Sequence, residues 1–255
     1  MAENGLSTLI GYLLSERPEL GGIRIPEGAD EQFRLYRSLV NIRPPEPADE
    51  DFLRAEDACL TRLTQEKGIT DLEDLSPVEP GLYLWQGDIT TLRCDAIVNA
   101  ANSGMTGCYQ PCHSCIDNCI HTFAGVRLRL HCGQLMEAQG HEEPTGRAKL
   151  TPAYNLPCRY VLHTVGPIVQ GALTEEHCAL LRSSYQSCLA LAAENGIGSV
   201  AFCCISTGVF GFPKAKAASI AVETVRSFRR EHPMRVIFNV FSDEDAAIYR
   251  SLLGV

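Results

Sequence analysis

The sequence has no long apolar run. Its longest uninterrupted stretch, Val200 to Ile205, is about six residues, against the roughly 18 or more that a membrane span needs, so no membrane partner is expected. It has no excess of basic residues either: 22 Lys and Arg stand against 31 Asp and Glu, a formal charge of −9. Sequence-independent nucleic-acid binding rests on neutralising phosphates, so no nucleic-acid partner is expected. A small anionic ligand stays open, because backbone N–H groups and helix N-termini bind anions locally. Residues 1–5 lack the basic stretch that begins a secretory signal, and a cytoplasmic location is expected. There is no internal repeat and no low-complexity tract. Hydrophobic residues at 45% and charged residues at 21% are ordinary globular usage, which excludes disorder, collagen-like structure and coiled coil. A length of 255 residues fits one large domain, or one domain with a small appendage.

Cysteine, by contrast, is abundant: there are twelve. A disulfide scaffold belongs to small secreted domains, and this chain is neither small nor visibly secreted. Seven cysteines are dispersed (Cys59, Cys94, Cys158, Cys178, Cys188, Cys203 and Cys204) and read as small buried hydrophobes. The other five crowd between Cys108 and Cys132, with His113, His121 and His131 among them. In a reducing compartment such a cluster points to metal binding or catalysis.

Residues 1–75 read as a helical extension. Leu6, Leu9, Ile10, Leu13 and Leu14 repeat at helical spacing, as do Phe33, Tyr36 and Val40, and then Ala55, Cys59, Leu60 and Leu63. Pro44, Pro45 and Pro47 predict an extended connector. Ser76-Pro77-Val78-Glu79-Pro80 predicts a second break and the main boundary, with a domain over 80–255. Beyond it strands and helices alternate. Strands are expected over 82–86, 95–100, 159–165, 199–205 and 235–241. Helices are expected over most of 114–139, and over 174–194 and 214–230, with a last one capped by Ser242. This predicts a three-layer α/β fold with a largely parallel sheet, and a ligand site beyond the carboxyl ends of its strands.

Four segments are candidates for chemistry. The densest is Gly107 to His121. Thiolates with imidazole are donors that Zn²⁺ prefers, and Cys108, His113 and Cys115 are close enough for one loop to wrap an ion. Three protein ligands would leave a position open, whereas a structural site wants four; Cys112 and Cys119 are possible fourth ligands, so spacing leaves the choice open. The alternatives are free thiols packed at a helix start, or a redox pair of Cys112 and Cys115 without the thioredoxin-like strand it would follow. The second segment is Gly87-Asp88-Ile89-Thr90, and the third is Asn99 to Gly104, where ordinary turn chemistry competes with sugar binding. The fourth, Ser206 to Pro213, runs from a buried strand into a helix, and its glycines allow a close backbone approach to phosphate.

Together these segments resemble the macrodomain family. Gly87-Asp88-Ile89-Thr90, the run Asp95 to Asn102, and Ser206-Thr207-Gly208-Val209-Phe210-Gly211 look like its ADP-ribose-binding motifs, over roughly residues 80–255. Cys108 through Cys115, standing where ordinary macrodomains have a glycine-rich stretch, and the helical extension resemble the zinc-dependent macrodomains, which are protein mono-ADP-ribosyl hydrolases. The fold so implied is a macrodomain with a mixed, largely parallel sheet. The resemblance implies that Asp88 accepts from the adenine amino group with Ile89 beside the ring, and that Phe241 stacks on adenine. Ser206, Thr207, Gly208, Val209, Phe210 and Gly211 would wrap the diphosphate. Asn102 would hold the ribose next to the scissile bond, with Asn99 shaping the loop. Cys108, His113 and Cys115 would ligate Zn²⁺, and Asp117 would be catalytic beside Asn102. Expected partners are ADP-ribose, a mono-ADP-ribosylated protein, a lipoyl-carrier protein of the glycine-cleavage type and a sirtuin-like ADP-ribosyltransferase.

The reaction implied is hydrolysis of the bond between a protein side chain and C1 of ADP-ribose. Zinc can lower the pKa of bound water toward about 7 or orient the substrate; two thiolates weaken it as a Lewis acid. Asp117 would position water or act as base, its alternative role being a helix cap. Three other readings compete: a non-catalytic ADP-ribose reader with structural zinc, a phosphatase, and a thiol redox protein.

Overall fold

The structure, a computed structural model, describes residues 5–255; the first four residues of the expected helical extension lie outside it. Three helices open the chain: α1 (Gly5–Ser15), α2 (Ala29–Ile42) and α3 (Glu50–Lys67). They follow the apolar spacing, and Leu9, Ile10, Tyr36 and Leu60 are wholly buried between them. α3 begins where the Asp49 carboxylate accepts from the Phe52 N–H at 2.7 Å, and ends at Gly68, whose φ of 88° other residues rarely adopt. The proline connector lies between α2 and α3, as expected.

Two short strands, β1 (Thr70–Asp71) and a later β4 (Leu92–Arg93), pair in parallel and stitch the chain after α3 to the rest. Between them lie β2 (Pro77–Glu79) and β3 (Leu82–Gln86). There follow β5 (Ala96–Ala101), α4 (Ile116–Ala124), α5 (Val126–Gln139), β6 (Ala148–Pro152) and β7 (Tyr160–Val165). The chain ends with α6 (Glu175–Glu194), β8 (Ser199–Phe202), α7 (Lys214–Arg229), β9 (Arg235–Val240) and α8 (Asp243–Leu253). The main sheet has the order β2-β3-β9-β8-β5-β7-β6. The five inner strands run parallel; the edge strands β2 and β6 are antiparallel to their neighbours. Strands β5, β7, β8 and β9 are almost continuously buried, as parallel strands are when helices cover both faces. Among the described residues, no helix is long and apolar enough to cross a membrane.

Several expectations change. The Ser76–Pro80 break contains β2, where Pro77 begins an edge strand and its missing N–H costs no ladder bond. The expected helical region over 114–139 is two helices, parted at Gly125 with φ 89°; a Cβ there would come within 2.6 Å of the Glu56 carboxylate. β8 stops at Phe202, not Ile205, because Cys203 and Ile205 stay buried in the loop that follows and so extend the apolar run without extending the strand. β9 likewise ends at Val240, leaving Phe241 78% exposed.

Two apolar clusters result. The larger fills the α/β unit; the smaller lies among α1, α2 and α3 and includes Val126 of α5. They meet where Phe33 of α2 packs on Phe123 of α4, ring centroids 5.7 Å apart.

Candidate functional site

Parallel pairing brings the carboxyl ends of β3, β5, β8 and β9 to one edge, and three of the motifs sit there. In the β3–β9 register Gln86 faces Val240, so Asp88 and Phe241 leave adjacent strands side by side. Asp88 caps a single 3-10 turn: its Oδ1 accepts from the Thr90 N–H at 3.0 Å and from the Thr90 hydroxyl at 2.6 Å. Its Oδ2 accepts from Lys67, the last residue of α3, whose ammonium also lies 3.8 Å from the centre of the Phe123 ring. Burial works against the Asp88 charge, but Lys67 and Thr90 outweigh it and hold the carboxyl below its ordinary range. Ile89 is only 1% exposed, so its side chain lies in the core and not in the open cleft. Phe241 presents an open ring face.

The segment from Ser206 to Phe212 is a tight loop between β8 and α7. Ser206 has φ 65° and Gly211 φ 70°, and the Phe212 N–H donates to the Ser206 carbonyl at 3.0 Å. Gly166, after β7, packs so closely that a Cβ would fall 2.1 Å from the Ser206 hydroxyl oxygen. Among the described residues, the N–H groups of Gly208, Val209 and Phe210 have no protein acceptor, and the buried Ser206 hydroxyl has none. A loop of unpaired N–H donors is the arrangement that cradles an anion.

Beyond β5 the asparagines surround one carboxylate. Asp117, in the first turn of α4, is 4% exposed. Its Oδ1 accepts from Asn99 Nδ2 at 2.8 Å, and its Oδ2 from Asn102 Nδ2 at 3.2 Å. The helix-cap role is not what it does: Cys115 holds the N-cap position of α4 without a side-chain cap bond, and both Asp117 oxygens face the asparagines. Burial pushes its carboxyl up to about 6, against the pull of Asn99, Arg129 and Asn102. Asn102 also donates to the Gly107 carbonyl at 3.1 Å, at the start of the cysteine loop.

In that loop Cys108, His113 and Cys115 place their ligand atoms within 4.8 Å of one another, with Cys108 Sγ 3.8 Å from His113 Nδ1. Burial, with the Cys108 sulfur beside it, pushes the Cys115 thiol up to about 12; a cation among these donors would reverse that, since metal-bound thiols deprotonate. Two soft sulfurs and an imidazole nitrogen converging on one point fit zinc. The remaining thiols turn away: Cys112 Sγ donates to the Arg34 carbonyl at 3.3 Å, and Cys119 Sγ accepts from Arg37 at 3.4 Å.

A second convergence, of His121, Cys132 and His163, is fully buried. The His163 Nδ1 faces the Asn99 amide nitrogen at 3.1 Å and accepts from it; Nε2 then carries the proton and donates to Thr151 at 2.9 Å. His163 therefore has no lone pair free for a cation, whereas both ring nitrogens of His121 are buried without a partner, with Nε2 3.6 Å from Asp117 Oδ1. Residues that sequence reading missed come mostly from helices: Arg37, Asn41, Lys67 and Arg129. Their partners lie far away in the chain, and no local pattern announces them.

An α/β unit that gathers an acidic acceptor, an exposed aromatic and a loop of free N–H donors at its parallel strand ends is a binding fold for a nucleoside diphosphate. The Macro domain family matches residues 98–221. A protein-ADP-ribose hydrolase of Treponema medium is 60% identical, over 96% of this chain and 97% of that protein. One from Staphylococcus aureus is 46% identical, over 98% and 95%. The Trypanosoma brucei macrodomain in complex with ADP-ribose has TM-score 0.66 and 31% identity, over 86% of this chain and 92% of that one. The chain belongs to the macrodomain family.

Proposed function

We propose that this chain is a zinc-dependent hydrolase that removes mono-ADP-ribose from modified protein side chains. The observation that carries the reading is the Asn102 amide. It joins the Gly107 carbonyl, next in the chain to Cys108, to the Asp117 carboxylate, so the start of the cysteine loop, the catalytic carboxyl and the ribose-binding asparagine are tied together at the end of β5.

Asp88 accepts from the adenine amino group while Lys67 balances its charge. Phe241 stacks on the base. The N–H groups of Gly208, Val209 and Phe210, with the Ser206 hydroxyl and the flanking Thr207 and Gly211, bind the diphosphate. Asn102 orients the ribose whose C1 carries the protein side chain, and Asn99 fixes the Asp117 rotamer. Asp117, with a carboxyl near 6, takes a proton from the water that adds at C1 as the bond from C1 to the protein side chain breaks, and then passes that proton to the departing side-chain atom. Cys108, His113 and Cys115 would hold zinc, which when bound supplies a Lewis acid that orients and polarises an oxygen of the substrate. A lipoyl-carrier protein of the glycine-cleavage type, modified by a sirtuin-like transferase, is the proposed source of substrate, in the cytoplasm.

The test is elemental analysis of the purified chain, with release of free ADP-ribose from a modified protein measured before and after chelation. Expected are about one zinc per chain and a loss of turnover on chelation that leaves ADP-ribose affinity intact. Unchanged turnover in a zinc-free Cys115→Ala protein overturns the zinc dependence. Tight ADP-ribose binding with no release under any condition leaves a reader module.

A further inference from the structure

The cysteine loop does not hold its own shape. Residues 107–115 contain no helix or strand, and Cys112 sits at φ 54°, a conformation a cysteine seldom adopts unaided. Asn102 holds its start and Arg129 of α5 reaches the Cys108 carbonyl and the Tyr109 ring; the bracing around His113 and Cys112 comes from α2. Arg37 Nη2 donates to the His113 carbonyl at 2.7 Å. The same Nη2 and Nε donate to Asn118 Oδ1 at 2.8 and 3.1 Å. Asn118, wholly buried in α4, donates in turn to the Gln110 carbonyl at 3.0 Å and the Cys108 carbonyl at 3.5 Å. One turn further along α2, Asn41 Oδ1 accepts from the Cys112 N–H at 2.9 Å, while its Nδ2 donates to Thr122 at 3.1 Å.

We propose that Arg37 is a positioning residue for the metal centre: its guanidinium bridges the His113 carbonyl and the Asn118 amide, and so sets the separation of Cys108, His113 and Cys115. This rests on the zinc reading above. The guanidinium suits the task because its donors lie in one rigid plane and reach two acceptors at once; an ammonium has no such fixed fork. Without it, Asn118 Oδ1 loses its donor and the loop is free to widen, which raises the rate of metal loss. The nucleotide end of the cleft, at β3, β8 and β9, shares none of these bonds.

The experiment compares the zinc-loaded full chain with Arg37→Ala and Arg37→Lys, following zinc release to a chromogenic chelator. ADP-ribose affinity by calorimetry and melting temperature accompany each. Arg37→Ala is expected to release zinc at least about tenfold faster, Arg37→Lys to fall between, and ADP-ribose affinity to stay within about twofold. Arg43→Ala is the control for general weakening of the extension, because the Arg43 side chain braces Glu16 and the proline connector, not the loop. A wild-type release rate in Arg37→Ala overturns the inference alone. So does equal acceleration by Arg43→Ala at a similar melting temperature. A wild-type chain that takes up no zinc overturns the zinc reading and this inference with it.

Discussion

Asp117 has two features that a surface carboxylate lacks. It is nearly excluded from water, and both oxygens receive amide hydrogens from a single strand end. Burial raises its proton affinity, while the amides and Arg129 keep the rise moderate, which leaves it near the value that serves proton transfer at neutral pH. Asp117→Asn should therefore lower turnover by about 10²- to 10⁴-fold, the usual contribution of a positioned acid or base, with ADP-ribose affinity by calorimetry little changed. A fall in affinity that matches the fall in turnover would make Asp117 a ligand-holding group. The loop from Ser206 to Phe212 has an equally sharp test. Gly166→Ala places a Cβ 2.1 Å from Ser206 Oγ and 2.7 Å from Ile205 Cγ2, contacts no side chain tolerates, so the loop must shift. ADP-ribose affinity should drop by about tenfold or more, roughly 1.4 kcal/mol; an unchanged dissociation constant would remove the diphosphate from that loop.

Among the elements, α3 couples the extension to the α/β unit through a buried acid. Glu56 accepts from the Tyr36 hydroxyl of α2 at 2.6 Å and from the Val126 N–H at the start of α5 at 3.0 Å. Burial raises its carboxyl to about 7, only partly opposed by those two donors. The folded chain thus holds this proton more tightly than the unfolded one. The resulting stabilisation is complete below the unfolded value of 4.5 and is lost as pH rises through 7. Its size is at most about 3 kcal/mol. Glu56→Gln should flatten that part of the profile, seen as a smaller drop in urea midpoint between pH 5 and pH 8; parallel drops in both proteins would exclude Glu56 as the source. The sulfurs of the cysteine loop are half-buried, not sealed, and zinc-bound thiolates still oxidise. Peroxide should release zinc and lower activity together; stoichiometric zinc after treatment would contradict this.

For the whole molecule, the extension forms one wall of the site. It packs on α4 and on the turn that carries Asp88, supplies Lys67 to that aspartate, and braces the cysteine loop through Arg37 and Asn41. In return Arg129 of α5, 4% exposed, donates to the carbonyls of Val40, Asn41 and Arg43 at the end of α2 and faces the Tyr109 ring of the loop. A chain that starts at residue 76 should melt lower and hold less than one zinc. Full activity and full zinc in that truncation would reduce the extension to packing.

Much of this was legible in advance where the interaction is local. Helical spacing located α1, α2, α3, α6 and α7, and Ser242 caps α8 by accepting from the Asp245 N–H, as expected from four adjacent residues. The crowding of Cys and His was visible within one loop, but spacing left Cys112 and Cys119 open as ligands, and the fold is what brings Cys108, His113 and Cys115 together. The sequence by itself thus determined the element order, the strand-end motifs and the cluster of soft donors, because caps, turns and periodic burial act over a few positions. Only the tertiary structure decided that Cys112 and Cys119 face the extension, that Asp117 serves the asparagines and not the helix end, and that Arg37 meets Asn118 across 81 positions. A hydrogen bond reads a separation of about 3 Å in space and is indifferent to distance along the chain, so those partnerships exist only once the sheet and its helices have closed.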